Sequence, residues 1–429
     1  MAITGRVGVL ALIGVIVVAL AAPSWTGVLA VVGVLALGVL ADLALAGGVR
    51  GLRFTRGGAS SARLGESVEV ALTVTNPGRR RVRGVLRDAW PPSAGVLEDR
   101  HPLVIPPSGR SRLTVRLRPA RRGDRRAYRV TVRSVGPLGL AARQGSHRVP
   151  WTVRVLPPFH SRKYLPSRLA RLQELDGRQA ALVRGEGTEF DSLREYVTGD
   201  DVRSIDWRAT ARASDVMVRT WRPERNRQLL LVLDTGRTSA GRVGNSPRLD
   251  AAMDAALLLA VLASRAGDQV DLIAYDRRLQ AKAGGSGEAL PSLVNALAPL
   301  EPSLVETDAR GMVAEALRRA RRRSLIVLFT GLDAAPLEEG LLPVLPSLTA
   351  RHRLLVASVG DPRVAEMAQE RGDAEAVYDA AAAERALAER RHVTALLARY
   401  GVEVVDAVPD ELPPALADRY LALKAAGRL

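Results

Sequence analysis

The sequence contains no cysteine. That excludes disulfides, thiolate metal sites and a cysteine nucleophile. Histidine is scarce: the 5 present are His101, His147, His160, His352 and His392. None pairs with another one helical turn away, the spacing a zinc-binding helix needs. Aromatic residues make up only 4%, thin for a surface that stacks nucleic-acid bases, and no helix-turn-helix or RNA-binding signature is present. The glycine-rich stretch Gly284–Gly285–Ser286–Gly287 lacks the Lys-Ser/Thr of a phosphate-binding loop and reads as a flexible turn. No nucleophile–base pair and no pair of catalytic carboxylates stands out.

What is present is length, apolar content and positive charge. A chain of 429 residues with 47% hydrophobic content has ample material for two or three packed domains. The net charge is +17 and nearly all the cations are arginine, with an isoelectric point near 11.1. This excess fits a general bias toward arginine together with attraction to anionic lipid, worth about 1 kcal/mol per basic residue near a membrane surface.

Val7 to Ala22 is uninterrupted apolar or small, Pro23–Ser24–Trp25 breaks the run, and Thr26 to Val49 is apolar again apart from Asp42. A spanning helix needs about 20 residues. The pattern predicts a transmembrane helical hairpin over residues 1–50, with Trp25 at the outer interface. A rival reading makes the first stretch a signal peptide, with Arg6 as its charged region and Ala19–Leu20–Ala21 as its cleavage site. Either way Arg50, Arg53 and Arg56 follow the second span, so the positive-inside rule places the rest of the chain in the cytoplasm at the inner membrane. Asp42 is expected to snorkel to the interface, the alternative being a polar contact between helices.

Residues 51–156 change character. Ser67–Thr75, Leu113–Leu117, Tyr128–Val132 and Trp151–Val155 alternate apolar and polar residues. Asn76–Pro77–Gly78, Pro91–Pro92, Pro106–Pro107 and Gly136–Pro137 punctuate them. This predicts a β-sandwich with arginine on its outward positions. Residues 157–224 form a linker, with a short helix over 167–175, and then a segment of acids, arginines and aromatics with hardly any apolar run. Gly185 and Gly187 mark an open turn. Val202, Ile205 and Ala209 share a helical face, capped by Asp200 or Asp201. Trp207 falls off that face among charges. Val216–Trp221 is expected to enter the following sheet or lie along its edge.

Residues 225–429 alternate buried-type strands and helices. Leu229–Leu233, Asp271–Tyr275, Ser324–Thr330, Leu354–Val359 and Val402–Val405 are the strands. Helices are expected over 249–265, 289–298, 311–320, 341–350, 381–400 and 416–425. Crossovers of this length predict a mostly parallel, doubly wound α/β sheet, with ligands beyond the carboxyl ends of its strands. Asp234, Thr307 and the loop Thr330–Asp333 should gather there.

Two resemblances rest on these residues. Phe190–Asp191–Ser192–Leu193–Arg194–Glu195–Tyr196, Gly199–Asp200–Asp201–Val202–Arg203, Ile205–Asp206–Trp207 and Ala209–Thr210–Ala211–Arg212 resemble the signature of the bacterial domain-of-unknown-function family fifty-eight, the MoxR-associated membrane proteins. The resemblance implies a membrane-anchored protein working beside a MoxR-type AAA+ ATPase. The α/β part is similar to a von Willebrand factor A domain, whose metal-ion-dependent adhesion site begins Asp-x-Ser-x-Ser. Here the motif reads Asp234–Thr235–Gly236–Arg237–Thr238, so Gly236 removes one oxygen. Thr307 would supply the middle threonine. In Thr330–Gly331–Leu332–Asp333 the acid is displaced to Asp333.

The resemblance therefore implies a degenerate metal site of Asp234, Thr238, Thr307 and Asp333, with no cofactor or at most weakly held Mg²⁺. It also implies a partner-binding surface of Arg194, Tyr196, Asp200, Asp201, Arg203, Asp206, Trp207 and Arg212. The expected function is that of a cytoplasmic adaptor rather than an enzyme, binding protein and not nucleic acid. Two alternatives stand beside it: an enzyme acting on cell-envelope material through the carboxylates of the signature, and an arginine-driven lipid- or nucleic-acid-binding module.

Overall fold

The computed structural model describes residues 2–21, 23–182, 189–213, 215–222, 227–284 and 289–427. The turn at Gly185 and Gly187 and most of the Gly284–Gly287 stretch lie outside the described residues. The chain divides into two compact units, Met1–Leu156 and Pro157–Leu429.

The first unit begins with two apolar helices, Gly5–Ala21 and Trp25–Leu45. Ser24 caps the second by accepting from the Gly27 amide, which fixes the break after Pro23. Leu12, Val15, Leu20, Leu29, Val34 and Leu37 are all exposed on them. Of the two expected membrane spans, one among the described residues has the length and composition of a spanning helix. Trp25–Leu45, of 21 residues, is long and apolar enough to cross a membrane. Gly5–Ala21 has 17 residues, which at 1.5 Å per residue reach about 25 Å against a hydrocarbon core of about 30 Å.

Strands of alternating burial make the rest of this unit. A five-stranded sheet and two three-stranded sheets enclose two apolar clusters, one around Leu72, Leu86, Leu103 and Val132 and one around Val70, Val115, Leu117 and Val153. Arg56, one of the three arginines that follow the second apolar run, is buried. Its side chain is 1% exposed and forms an ion pair with Asp88, itself fully buried. The guanidinium also donates to the Val149 carbonyl, and Trp90 Nε1 donates to the same Asp88. Four groups thereby satisfy one another inside the sandwich, which is the condition under which a buried charge is tolerated.

Asp42 also corrects its expectation, for it neither snorkels nor bonds to the other helix. It is fully buried and accepts from the backbone amides of Leu138, Leu140 and Ala141 at 2.7, 2.6 and 2.9 Å. The turn Gly136–Leu140 is shaped for it: a Cβ at Gly136 would lie 2.2 Å from Asp42 Oδ1. Arg143 Nε donates to the Leu43 carbonyl, and Arg80 to that of Ala44. Cations thus cap the carbonyl end of the second helix, where its dipole favours positive charge. Ala2–Ile3 pair with Ala141–Ala142, and Thr4 donates to the Gly139 carbonyl at 2.6 Å. Both apolar helices are therefore tied at their polar ends to one turn of the sandwich.

In the second unit the helix Leu165–Leu182 is twice the length the sequence suggested. Ahead of it, Ser161 donates from both its amide and its hydroxyl to Asp254, which is buried in the helix Arg248–Arg265. Val216–Trp221 does not join the large sheet. Met217–Arg222 pairs with Glu189–Glu195 in a separate two-stranded hairpin. The single helix expected through Val202, Ile205 and Ala209 is two short turns, Val202–Ser204 and Trp207–Thr210. Asp206 is extended and caps the second, which interrupts the run.

The large sheet has six strands in the order Leu279–Gly284, Gln269–Tyr275, Gln228–Asp234, Ser324–Phe329, Arg353–Val359, Glu403–Ala407. All neighbours are parallel except the first pair. Central strands read as continuous apolar runs because helices cover both faces. The helix expected over 341–350 is instead a π-turn, Pro336–Leu341, followed by a short helix, Leu345–Thr349; Pro336 and Pro346 break the ladder.

Candidate functional site

Numbered along the chain, the six strands take the order 3-2-1-4-5-6. The direction of winding reverses between Gln228–Asp234 and Ser324–Phe329, and the crevice beyond the carboxyl ends of such a pair is where doubly wound sheets hold ligands. Asp234 ends the first of these strands and is 3% exposed. Its Oδ1 accepts from the Gly236 amide at 2.8 Å and from Thr307 Oγ1 at 2.5 Å. Its Oδ2 accepts from Thr238 Oγ1 at 2.9 Å and Thr330 Oγ1 at 2.7 Å. Three hydroxyls and one amide, from three loops, thus converge on one carboxylate. Ser239 Oγ donates to the Asp234 carbonyl at 2.6 Å and holds the turn from behind.

The two glycines of the degenerate motif have local reasons. A Cβ at Gly236 would stand 2.1 Å from Thr307 Oγ1 and 2.9 Å from the Val305 carbonyl, so Thr307 occupies the space a serine there would need. A Cβ at Gly331 would lie 2.6 Å from Asp333 Oδ2 and 3.1 Å from Thr238 Cβ. The displaced acid therefore folds back to the place where a side chain at 331 would begin. Among the described residues no group of three or more His, Asp or Glu side chains is arranged to hold a metal ion.

A cleft of about 830 Å³ opens beside this cluster. Thr238, Asp333, Arg237, Arg248, Arg390 and Asp361 are among its walls. Arg237 reaches Glu306 at 3.0 Å, and Arg390 pairs with Asp406. A smaller cavity of about 220 Å³ lies against Asp234, Thr307, Thr330 and Glu339. Sequence reasoning did not single out Arg248, Arg390 or Glu306. Glu306 and Arg390 lie far along the chain from Asp234 and reach it only through the crossovers, while Arg248 opens the helix that follows the Asp234 turn.

The second group of expected residues sits on the hairpin. Arg194 forms an ion pair with Asp200, whose Oδ2 also accepts from the Val197 amide at 2.9 Å. The Arg194 hydrogen bond first, and then the amide, hold the Asp200 carboxyl below its usual value. Asp201 accepts from the Arg203 amide at 2.9 Å. Asp206 accepts from the amides of Arg208 and Ala209 and from Arg219 Nε; the Ala209 amide is the larger cause of its lowered pKa, the Arg219 bond the next. Trp207 is 68% exposed, with Val197 and Val202 also exposed and Tyr196 partly so. Arg203 and Arg212 are exposed as well. Between described residues, no hydrogen bond or ion pair joins these eight residues to Asp234, Thr238, Thr307 or Asp333. They are two groups, not one.

A family model described as "Protein of unknown function DUF58" matches residues 192–410, which takes in most of the hairpin and all six strands of the large sheet. The chain is 29% identical over 197 residues to the uncharacterized protein Rv1480 of Mycobacterium tuberculosis, covering 45% of this chain and 61% of that one. It is 26% identical over 113 residues to the uncharacterized protein YeaD of Bacillus subtilis, covering 26% and 28%. The chain thus spans about three fifths of the length of the mycobacterial relative. Among solved structures, the CARDB domain of the PF1109 protein from Pyrococcus furiosus, in complex with di-metal ions, matches at 18% identity. It covers 24% of this chain and 86% of that one, with a TM-score of 0.19, too low to carry an argument about fold.

Proposed function

The chain belongs to the DUF58 family of proteins of unknown function, and from that premise we propose that it is a membrane-anchored adaptor that binds protein partners at the strand-end crevice of its α/β sheet. The observation that carries this reading is the state of Asp234. A carboxylate that already accepts four hydrogen bonds, two on each oxygen, is a firm post for the loops around it. What those loops present to solvent is a wide cleft in which arginines and carboxylates are set among apolar residues, a surface suited to a protein partner with both charged and apolar side chains. Trp207 and its exposed apolar neighbours on the hairpin are the second contact of this reading, since aromatic anchors dominate binding energy at protein interfaces.

The strand order with its antiparallel third strand, and Asp234 at the end of the first strand, support a von Willebrand factor A-like fold. Mg²⁺ fits loosely. Thr238 and Thr307 would offer hydroxyl oxygens and Asp333 a carboxylate, with water completing the octahedron, but Gly236 leaves the set one oxygen short. Binding in this reading does not depend on the ion. The anchor is the helix Trp25–Leu45, with the soluble parts on the cytoplasmic side, and the partner is a MoxR-type AAA+ ATPase.

Affinity capture with the full chain from detergent extracts tests this. The chain should enrich such an ATPase, and the double variant Arg237→Glu/Trp207→Ala, both positions being exposed, should lose most of it. Equal recovery by the variant contradicts the assigned surface.

A further inference from the structure

The β-sandwich of the first unit keeps its acids at one end. The acids of residues 51–156 are Glu66, Glu69, Asp88, Glu98, Asp99 and Asp124. Glu66 and Glu69 stand at the start of Val68–Thr75, Asp88 near the finish of Val82–Ala89, and Glu98 and Asp99 just ahead of Arg100–Ile105. Asp124 bonds to Arg154, whose strand pairs with Ser61–Arg63 at that same end. The opposite end is joined by register: Thr75 pairs with both Arg53 and Arg110, and Val82 with Ile105. Arg53, Arg79, Arg80, Arg81, Arg83 and Arg110 lie there, all exposed, and none of those acids does. This basic end is built against the apolar helix Trp25–Leu45. Arg80 donates to the Ala44 carbonyl. A Cβ on Gly47, just past the helix, would lie 2.5 Å from the Arg81 carbonyl oxygen, so the chain leaving the helix runs directly against the arginine loop. Asn76, 1% exposed, fixes that loop from inside: its Nδ2 donates to the Arg80 and Pro106 carbonyls at 2.8 and 3.1 Å, and its Oδ1 accepts from the Gly78 amide at 3.0 Å. Asp42, the acid of the helix itself, is fully buried and offers no surface carboxylate.

We propose that the sandwich stands on the membrane surface by this end and holds anionic phospholipid headgroups there, with Arg79, Arg81 and Arg83 as their contacts. The proposal rests on the reading of Trp25–Leu45 as a membrane anchor. A spanning helix brings its own end to the headgroup layer, and the loop packed against that end comes with it. Guanidinium forks match phosphate oxygens, and one basic residue near an anionic surface raises affinity about fivefold. Arg80, engaged with the helix carbonyl, positions the loop. The acids at the far end keep that end off the anionic surface, so the charge asymmetry sets which way the sandwich stands.

Electron paramagnetic resonance on the full chain in phosphatidylcholine bilayers, with a trace of spin-labelled phosphatidylglycerol or spin-labelled phosphatidylcholine, tests the proposal. The labelled phosphatidylglycerol should associate with the protein about fivefold more strongly than the phosphatidylcholine at low salt, and the difference should shrink as salt screens it. The triple variant Arg79→Gln/Arg81→Gln/Arg83→Gln, which keeps Arg80 and Asn76, should bring the two lipids close to parity. Arg100→Gln/Arg118→Gln/Arg129→Gln removes the same charge from exposed positions at the far end and should keep the preference. Motionally restricted lipid without headgroup preference overturns the proposal and leaves the anchor standing, whereas no restricted lipid of either kind removes the anchor and the proposal with it. Equal loss of preference in both triple variants also overturns it, because net charge rather than this end would then be the cause.

Discussion

Asp206 and Asp234 do similar jobs in opposite surroundings. Each ends an extended segment and accepts backbone amides from the turn that follows. Asp206 does so on an open hairpin, where its remaining partner is the cation Arg219. Asp234 does so under the sheet edge, where its remaining partners are neutral threonine hydroxyls. In water an ion pair is screened and worth little. In a buried site the same carboxylate must have every lone pair met, or the protein carries the cost of desolvating it. The contrast teaches that an acid-rich signature and a single buried acid make different kinds of structure: the first a clamp that can be rearranged, the second a fixed post.

The largest effect should follow from removing that post. Asp234→Ala leaves three hydroxyls and an amide unpaired, and should cost about 3–5 kcal/mol in denaturant unfolding of the full chain. Asp42 is the same device in the other unit, a buried carboxylate met by three amides. Asp42→Ala should cost roughly 2–4 kcal/mol by the same reasoning and loosen the apolar helices from the sandwich, read as faster proteolysis in the turn 136–141. Gly236→Ser, which would restore the adhesion motif's missing oxygen, instead forces Thr307 aside and should cost about 1–3 kcal/mol as an overpacked site. Asp206→Ala and Arg194→Ala, on the exposed hairpin, should change global stability least of all.

Acid pH sharpens the comparison further. The carboxyls of Asp200 and Asp206 are held below the ordinary value of 3.8. Their contribution is therefore present above that pH and lost as pH falls through the depressed values. Asp254, in the linker clamp, is raised by burial, so its contribution is greatest below 3.8 and falls as pH rises through its own folded value. Hydrogen exchange between pH 5 and pH 3 should show the hairpin opening while the Ser161–Asp254 clamp keeps its protection.

Much of the large sheet could be read from composition, because strands buried on both faces are continuous apolar runs; Leu229–Leu233 needs no partner to be recognised. The antiparallel edge Leu279–Gly284 escaped because its residues alternate and include Gln280 and Lys282. Glu189–Glu195 reads as loop for a related reason: its strand character comes from pairing with a segment more than twenty positions on, and nothing local announces it. Asp42 shows the limit most plainly. The acid was visible inside an apolar run, and so was the turn Gly136–Leu140, but their meeting across nearly a hundred residues is written in neither. At the candidate site, Asp234 with Thr238 is found by local motif and the Thr330–Asp333 loop by the strand ends, whereas Arg390 joins them only through the later crossovers.

The most direct measurement places a photo-crosslinking residue at position 237, on the rim of the strand-end cleft, and a control at exposed Tyr128 on the sandwich. Irradiation of cells carrying the full chain should yield an adduct with a MoxR-type ATPase from position 237 and none from position 128. Adducts of equal yield at both positions, or at 128 alone, would contradict the account.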